Sequence, residues 1–329
     1  MKSIAFFNNK GGVGKTTLVY HLACMIAERR ESVLAVDLDP QANLSSMFLT
    51  EEQLEVLWPN HEHPLTVFGA LRPIVRGLGD VQKPHLHRVN STLSLIVGDL
   101  ALSTFEDKLS AAWPNCHNRD ESAFRTMTAF HRAIQWAAAE VDASWVLIDV
   151  GPNLGAINRA ALISSEYVVI PLGPDLFSLQ GLRNLGPSLR DWRRIWNELL
   201  QKNPDPSMEV PEGRIESLGY VVMQHGMREN RPPKAYQRWI DRFPNAYRES
   251  VLDQAPESAM VAASDPYCLA MLKHYRSLMP MAMEARKPVF ALKPADGAIG
   301  AHGEAVRSAY YDFLALARRI ADRAGTTVS

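Results

Sequence analysis

The segment Lys10-Gly11-Gly12-Val13-Gly14-Lys15-Thr16-Thr17 lies between a short apolar run, Ile4 to Phe7, and a stretch of helical periodicity that runs from Thr16 to about Arg30. Its three glycines allow backbone N–H groups to turn inward around an anion without Cβ clashes, and the N-terminus of the following helix faces the same point. The order of strand, glycine-rich loop, lysine, threonine and helix predicts a polyphosphate-binding loop. A glycine-rich turn that binds no ligand is the alternative.

The loop departs from the common pattern G-x-x-x-x-G-K-[ST], because Asn9 occupies the position of the first glycine. The rest of the chemistry is complete. Lys15 is predicted to neutralise the β- and γ-phosphates of a bound triphosphate, and the Thr16 hydroxyl to take one position on Mg²⁺. The residues predicted to contact the nucleotide in this loop are Lys10, Gly11, Gly12, Val13, Gly14, Lys15, Thr16 and Thr17.

Apolar runs alternate with helical stretches along the chain, and the runs are continuous rather than alternating. Continuous runs are typical of parallel strands that are covered on both faces. The sequence therefore predicts an α/β fold, a doubly wound and mostly parallel sheet with helices on both faces, as one domain over residues 1–329. The predicted buried strands are Val33 to Leu38, Leu93 to Val97, Trp145 to Ile148, Tyr167 to Leu172 and Leu218 to Met223.

Two long helices and several insertions complete the predicted organisation. The helices span Glu121 to Glu140 and Leu179 to Lys202, and Gly186-Pro187 is predicted to kink or restart the second one. Proline-bearing surface segments are predicted at 57–90, 203–213 and 231–244, the larger insertions at about 51–90 and 226–280, and a C-terminal helix at about 305–323.

Three acidic residues follow predicted strands. In Asp37-Leu38-Asp39-Pro40-Gln41-Ala42-Asn43 the alternation of side chains places Asp37 and Asp39 on the same side of the strand end. Asp149 ends the run Trp145 to Ile148, which is the Walker B arrangement in which an acid at the strand tip holds a magnesium-bound water. Ligands bind at the carboxyl ends of strands in open α/β sheets, so these acids are predicted to meet the phosphate-binding loop.

Together these motifs resemble those of the ParA/MinD superfamily of P-loop ATPases, whose loop reads KGGxGK[ST] and is called the deviant Walker A motif. The resemblance is poorest at 51–90 and 226–280. It implies slow, Mg²⁺-dependent hydrolysis of ATP to ADP and phosphate by a homodimer that encloses two nucleotides. It also implies that Lys10 reaches across the dimer to the partner's phosphates. Whether the resting protein is a monomer or a dimer stays open.

The resemblance assigns roles to the acids. Asp39 would orient the attacking water and Asp37 would support the Mg²⁺ hydration shell, so that the catalytic set is Lys10, Lys15, Asp39 and Asp149, and the metal set is Thr16, Asp37 and Asp149. The family continues D-x-P-P-x-x-G after the Walker B acid, and this segment is the second of its two switches. In the corresponding segment here, Val150 to Gly155, Gly151 replaces a proline, which predicts a more mobile second switch. Gln224 occupies the position that reads the adenine base.

ParA-type proteins bind non-specific DNA as ATP dimers, and a cargo-bound, ParB-like partner stimulates their hydrolysis. The resemblance therefore implies plasmid or chromosome partition, or the positioning of another cargo. The formal net charge is -1, so a DNA-binding surface must be local. Ion pairing on a solvated face is the alternative role for the candidate cations. These candidates are Arg183, Arg190, Arg194, Arg231, Lys234 and Arg238.

Two further function classes compete with partition. A regulatory or scaffold ATPase would dock a protein partner through 226–280 without transporting DNA, as in a mobile-element or defence operon. A metabolic ATPase would be expected to have a cysteine pair that bridges a dimer, and the three cysteines Cys24, Cys116 and Cys268 are widely separated.

The pairs His61/His63 and His85/His87 have a form that can chelate a metal, although they lie in predicted loops.

The sequence predicts no membrane partner. It has no apolar run of about 18 residues and no leader pattern at its start, which favours a cytoplasmic location, nucleoid-associated if DNA binding holds. The stretch Val306 to Arg323 is amphipathic, but Asp312 and Asp322 interrupt its basic face. Packing against the core is therefore expected for this helix rather than membrane attachment.

Overall fold

The computed structural model describes residues 1–58, 63–225, 234–258 and 260–328. In that part of the chain eight strands form one sheet in the order β3-β4-β2-β5-β1-β6-β7-β8, and only the β3–β4 pair is antiparallel. The predicted α/β class with a mostly parallel sheet is confirmed. The strands are β1 (Lys2–Phe6), β2 (Val33–Asp37), β3 (His87–Arg88), β4 (Leu93–Ile96), β5 (Trp145–Asp149), β6 (Tyr167–Leu172), β7 (Glu216–His225) and β8 (Cys268–Lys273).

Helices connect the strands and cover the sheet. Several short 3-10 turns and a π-helical turn at Arg248–Leu252 lie between them. The helices are α1 (Lys15–Glu28), α2 (Asn43–Phe48), α3 (Glu51–Leu57), α4 (Val67–Arg76), α5 (Glu106–Asn115), α6 (Glu121–Met127), α7 (Ala129–Glu140), α8 (Ala156–Ile163), α9 (Leu176–Leu200), α10 (Lys234–Ile240), α11 (Phe243–Tyr247), α12 (Leu278–Ala285) and α13 (Ala301–Arg323).

The sheet separates two apolar cores. Side chains alternate across a strand, so Ile4 and Phe6 of β1 enter one core while Ala5 and Phe7 enter the other. The helices α1, α2, α3, α12 and α13 pack on the first side, and α4 to α11 pack on the second. Helices therefore lie on both faces, as the continuous apolar runs indicate.

The predicted kink in the longest helix marks a close contact instead of a break. Helix α9 is continuous through Gly186 and Pro187, so the prediction of a restart is wrong. A Cβ at Gly186 would stand 2.1 Å from the Ser250 carbonyl oxygen, so glycine allows the π-helical turn to approach α9. The predicted helix over 121–140 is divided into α6 and α7 at Thr128, whose hydroxyl donates to the Phe124 carbonyl at 2.8 Å.

The two segments predicted as large insertions each add a strand to the sheet, β3 in 51–90 and β8 in 226–280. The second segment also contributes Phe243 and Tyr247, both fully buried, to the core against α9. The prediction of a surface segment over 231–244 is therefore wrong at its end, where Ile240 and Phe243 are buried. The first segment is attached near the end of β4, where the Trp58 indole donates to the Gly98 carbonyl at 3.0 Å.

The C-terminal helix packs on the protein, as expected. Its apolar face, which includes Val306, Phe313 and Ile320, is buried beside α1 and β8. Among the described residues, no helix combines the length and the apolar character that a membrane span needs.

Pro171 lies in a strand inside the sheet, but its missing N–H costs no hydrogen bond between strands. The carbonyl of Pro171 in β6 points toward β1, where it accepts a 2.6 Å hydrogen bond from the Asn8 side chain. In a parallel strand the N–H and C=O of one residue point to the same neighbour, so the missing N–H of Pro171 also faces β1. Since β1 has already ended at Phe6, no ladder donor is lost there.

Candidate functional site

The glycine-rich loop leaves the sheet between β1 and α1. Gly12 and Gly14 have φ of 73° and 89°, in the left-handed region that favours glycine. A Cβ at Gly11 or Gly12 would meet no atom within 4 Å, so the loop backbone borders open space. Lys15 is the first residue of α1, and the loop therefore delivers its N–H groups and this lysine to one point.

Lys15 is buried rather than extended into solvent. Burial lowers the pKa of its ammonium group, and the nearby carboxylates of Asp149 and Asp39 oppose that shift. The phosphate-binding loop and the two acids are thus electrostatically coupled. This arrangement brings together three residues that the sequence places in separate motifs.

Asp37 ends β2 and is fully buried. Its Oδ2 accepts hydrogen bonds from the Ser45 N–H at 2.8 Å and the Ser45 hydroxyl at 2.7 Å, and the same hydroxyl accepts from the Gly98 N–H at 2.8 Å. A Cβ at Gly98 would stand 2.6 Å from the Asp37 carboxyl carbon, so this position excludes side chains. Burial raises the pKa of Asp37 to about 7.

Asp149 lies beside Asp37, because the two are register partners on the adjacent strands β2 and β5. It is fully buried, and neither carboxylate oxygen makes a well-aligned hydrogen bond to a described residue, although the Thr16 hydroxyl lies beside the carboxylate. Burial raises its pKa well above the ordinary range, and the neighbouring Asp37 charge acts in the same direction. Asp39 is also buried, and its Oδ1 accepts from the Gln41 N–H at 2.9 Å.

These groups fit a hydrated Mg²⁺ and a polyphosphate. Two uncompensated carboxylate oxygens on Asp149 are costly in a protein interior unless a cation or its waters satisfy them. The Asn9 Oδ1 is likewise buried without a partner in the described part of the chain. No cluster of three or more His, Cys, Asp or Glu side chains there forms a metal cage by itself, and Mg²⁺ at phosphate sites keeps several waters instead.

The second switch is held by residues that no motif predicts. The Asn158 side chain accepts from the Gly151 N–H at 3.1 Å and donates to its carbonyl at 2.9 Å, so it brackets the glycine that replaces the family proline. Glu106 of α5 accepts the N–H groups of Ala156 and Ile157 at 2.5 and 2.8 Å, at the start of α8. A charged acceptor at a helix N-terminus is favourable, and here it fixes the helix that follows the switch.

The Lys10 side chain is partly exposed and contacts residues of its own chain. Its ammonium group is hydrogen-bonded to the Asp175 carboxylate and lies 5.9 Å from the centre of the Phe177 ring. Its backbone N–H donates to the Asn8 side chain at 2.9 Å. The resemblance implies that Lys10 reaches the phosphates of a partner subunit. The Lys10 side chain would have to leave Asp175 to take that position.

The remaining predicted site residues are more dispersed. On α9, Arg190 pairs with Asp253 and donates to the Ser250 carbonyl, and the exposed Arg194 pairs with Asp191 and Glu198. Arg183 on α9 and Arg238 on α10 are also exposed. Gln224 belongs to β7 and Lys234 begins α10, but their side chains lie outside the described structure, as do Arg231 and His61. His63 is hydrogen-bonded to Asp99 at 2.6 Å, and the predicted pair of His63 with His61 lies partly outside the described residues.

The sequence of the chain matches a family model and several known proteins. A family model described as an AAA domain matches residues 1–202. The chromosome partitioning protein ParA of Myxococcus xanthus is 30% identical over 212 residues, which are 63% of this chain and 62% of that protein. The chain thus spans less than two thirds of that relative's length.

Solved structures show the same architecture. Protein DIP2308 from Corynebacterium diphtheriae superposes with a TM-score of 0.65 and 28% identity, over 77% of this chain and 88% of that one. The ATP complex of a Cyanothece McdA variant gives a TM-score of 0.61 at 16% identity, over 94% and 96% of the two chains, and supports the fold alone. The matched domain, the geometry of the loop and the three acids lead to one conclusion: the chain belongs to the AAA domain family of that model, as a P-loop ATPase of the ParA type.

Proposed function

We propose that this protein is a Mg²⁺-dependent ATPase that dimerises around ATP and acts as a switch in plasmid or chromosome partition, or in the positioning of another cargo. The observation that supports this most directly is the uncompensated Asp149 carboxylate beside the buried Lys15, at the mouth of the glycine-rich loop. The relationship to the Myxococcus partitioning protein supports the biological role.

Each residue of the site has a part in the proposed reaction. The N–H groups of residues 11–16 and the Lys15 ammonium would bind the phosphates, and Thr16 and Asp149 would hold a hydrated Mg²⁺, with Asp37 behind it. Mg²⁺ supplies neutralisation of phosphate charge when it is bound. Asp39 would orient the attacking water, and it lies next to the segment after β5, since a Cβ at Gly151 would stand 3.4 Å from its Oδ1.

Exposed apolar residues support a dimer that closes over this edge. Large apolar side chains follow the carboxyl ends of three strands of the sheet and remain exposed, although such residues are usually buried. Covering them with a second copy would also remove water from the phosphates. These residues are Leu100 after β4, Leu154 after β5, and Leu176 and Phe177 after β6.

The trans role of Lys10 has a direct test. A charge supplied in trans to a transferring phosphoryl group contributes on the order of 10³ to 10⁵ in rate. Lys10→Ala should therefore keep ATP binding, measured by fluorescent-analogue titration, and lose turnover. Wild-type turnover per subunit should fall when the protein is diluted below its dimer constant. Equal turnover per subunit at every protein concentration would reject the trans role.

DNA binding is the output that we propose for the dimer, with Arg183 and Arg238 as its exposed cations. If about four cations per subunit contact phosphates, Arg183 and Arg238 among them, a dimer makes about eight contacts, and log K should fall with log salt with a slope of about -7. A second candidate function, a regulatory ATPase that docks a protein, is favoured by the pairing of Arg190 and Arg194 with acids of their own chain. Retention on random duplex with ATP but not ADP supports partition, and indifference to DNA supports the regulatory function.

A further inference from the structure

Lys10 has two competing anionic partners, and the choice between them can control the dimer. We propose that Asp175 restrains Lys10 inside its own protomer when no nucleotide is bound, so that each Lys10 must exchange this carboxylate for a phosphate on the partner's nucleotide. This inference rests on the proposed function, because it needs an ATP dimer in which Lys10 acts in trans.

Asp175 is a preorganised partner rather than a flexible surface acid. It is the N-cap of α9, and its Oδ1 accepts the Ser178 N–H at 2.9 Å. The Ser178 hydroxyl in turn accepts from the Gly173 N–H at 3.0 Å. The second carboxylate oxygen, Oδ2, is free of the cap and contacts Lys10. The acid that holds Lys10 is thus fixed by the strand-to-helix turn after β6.

The contact is strong enough to hold Lys10 and weak enough to be released. The Lys10 and Asp175 side chains are 30% and 37% exposed, so water screens the pair, and such a pair contributes only a small part of the stability. A polyphosphate carries more negative charge than one carboxylate, and Lys10 should prefer it once a second copy brings it within reach. The exposed residues Leu176 and Phe177 directly follow Asp175 in the sequence. A second copy of the protein that covers them would therefore also reach the Lys10–Asp175 pair.

Lys10 must be released in both protomers when the dimer forms. The two Lys10–Asp175 pairs therefore each raise the dissociation constant of the dimer by the same factor. If each pair weakens dimerisation by about threefold, which is within the range of exposed ion pairs, its removal from both subunits should tighten the dimer about tenfold. The substitution Asp175→Asn removes the charge and keeps the helix cap, because asparagine is an equally good N-cap residue.

The test is sedimentation velocity of the full chain with a non-hydrolysable ATP analogue and Mg²⁺, over a range of protein concentrations. Asp175→Asn should lower the dissociation constant of the dimer about tenfold. The protein concentration at which turnover per subunit is half-maximal should fall by the same factor. Asp191→Asn on the exposed face of α9 is the matched control, and it should behave as wild type. In a Lys10→Ala background, Asp175→Asn should leave the sedimentation profile unchanged.

An unchanged or weaker dimer in Asp175→Asn overturns the restraint, and so does a tenfold gain that persists without Lys10. Both results leave the ATP dimer itself intact. A wild-type protein that stays monomeric with the analogue at every concentration refutes the proposed function and the restraint with it. Circular dichroism of the variant checks that α9 is retained.

Discussion

Replacing Asp37 by asparagine should remove a pH dependence from the stability of the nucleotide-free protein. Burial raises the pKa of this carboxyl from 3.8 to about 7, so the folded protein keeps a proton that the unfolded chain releases. Between these two pKa values the unfolded state binds fewer protons, and the free energy of unfolding falls as pH rises. Asparagine does not titrate and can still accept the hydrogen bonds from Ser45.

The expected size follows from about 1.4 kcal/mol per pH unit for one proton, or about 2 kcal/mol between pH 5 and pH 7, because the folded carboxyl is half deprotonated at about pH 7. Urea unfolding, followed by tryptophan fluorescence at pH 5, 6, 7 and 8 with a chelator and without nucleotide, measures it. The difference in unfolding free energy between Asp37→Asn and wild type should grow in favour of the variant up to about pH 7. Asp191→Asn should follow wild type. Parallel pH profiles for Asp37→Asn and wild type would refute the reasoning.

Other substitutions test separate parts of the structure. Asp39→Ala should retain ATP binding and accumulate a dimer in size-exclusion chromatography, and hydrolysis at the wild-type rate would contradict its role in orienting water. Gly186→Ala should lower the stability by about 1–3 kcal/mol in urea unfolding, because its Cβ would stand 2.1 Å from a backbone oxygen, and an unchanged midpoint would be inconsistent with that contact. Glu106→Gln should cost about 1 kcal/mol at the start of α8 and slow turnover while ATP titration stays unchanged; normal turnover would separate this helix from the switch.

The core of the fold could be predicted because its signals are local. Continuous apolar runs mark β2, β4, β5, β6 and β7, and the carboxyl-end rule places the acids near the glycine-rich loop. Strand β8 escaped prediction because it is an edge strand, in which only half of the residues are buried and a lysine ends the run. Two-residue β3 carries no apolar signal at all.

The candidate site could be predicted only where one motif contains the chemistry. Lys15, Asp37 and Asp149 stand at positions that strand ends and loop spacing identify. Asn158 contacts backbone groups of the second switch and Glu106 contacts the start of the helix that follows it, and the Glu106 contact joins residues 50 apart in sequence. A hydrogen bond of that separation leaves no periodicity or spacing to read, so only the packed structure shows it.

The proline in β6 has a consequence for how the glycine-rich loop stays a loop. After Phe6 the chain could in principle continue to pair with β6. This pairing would incorporate the glycine-rich loop into the sheet and remove the open space that the loop borders. Pro171 offers no amide hydrogen for the next rung, and the Asn8 side chain occupies its carbonyl. Strand pairing therefore stops before the glycine-rich loop, and a residue with an amide hydrogen at position 171 would allow the pairing with β6 to extend toward that loop.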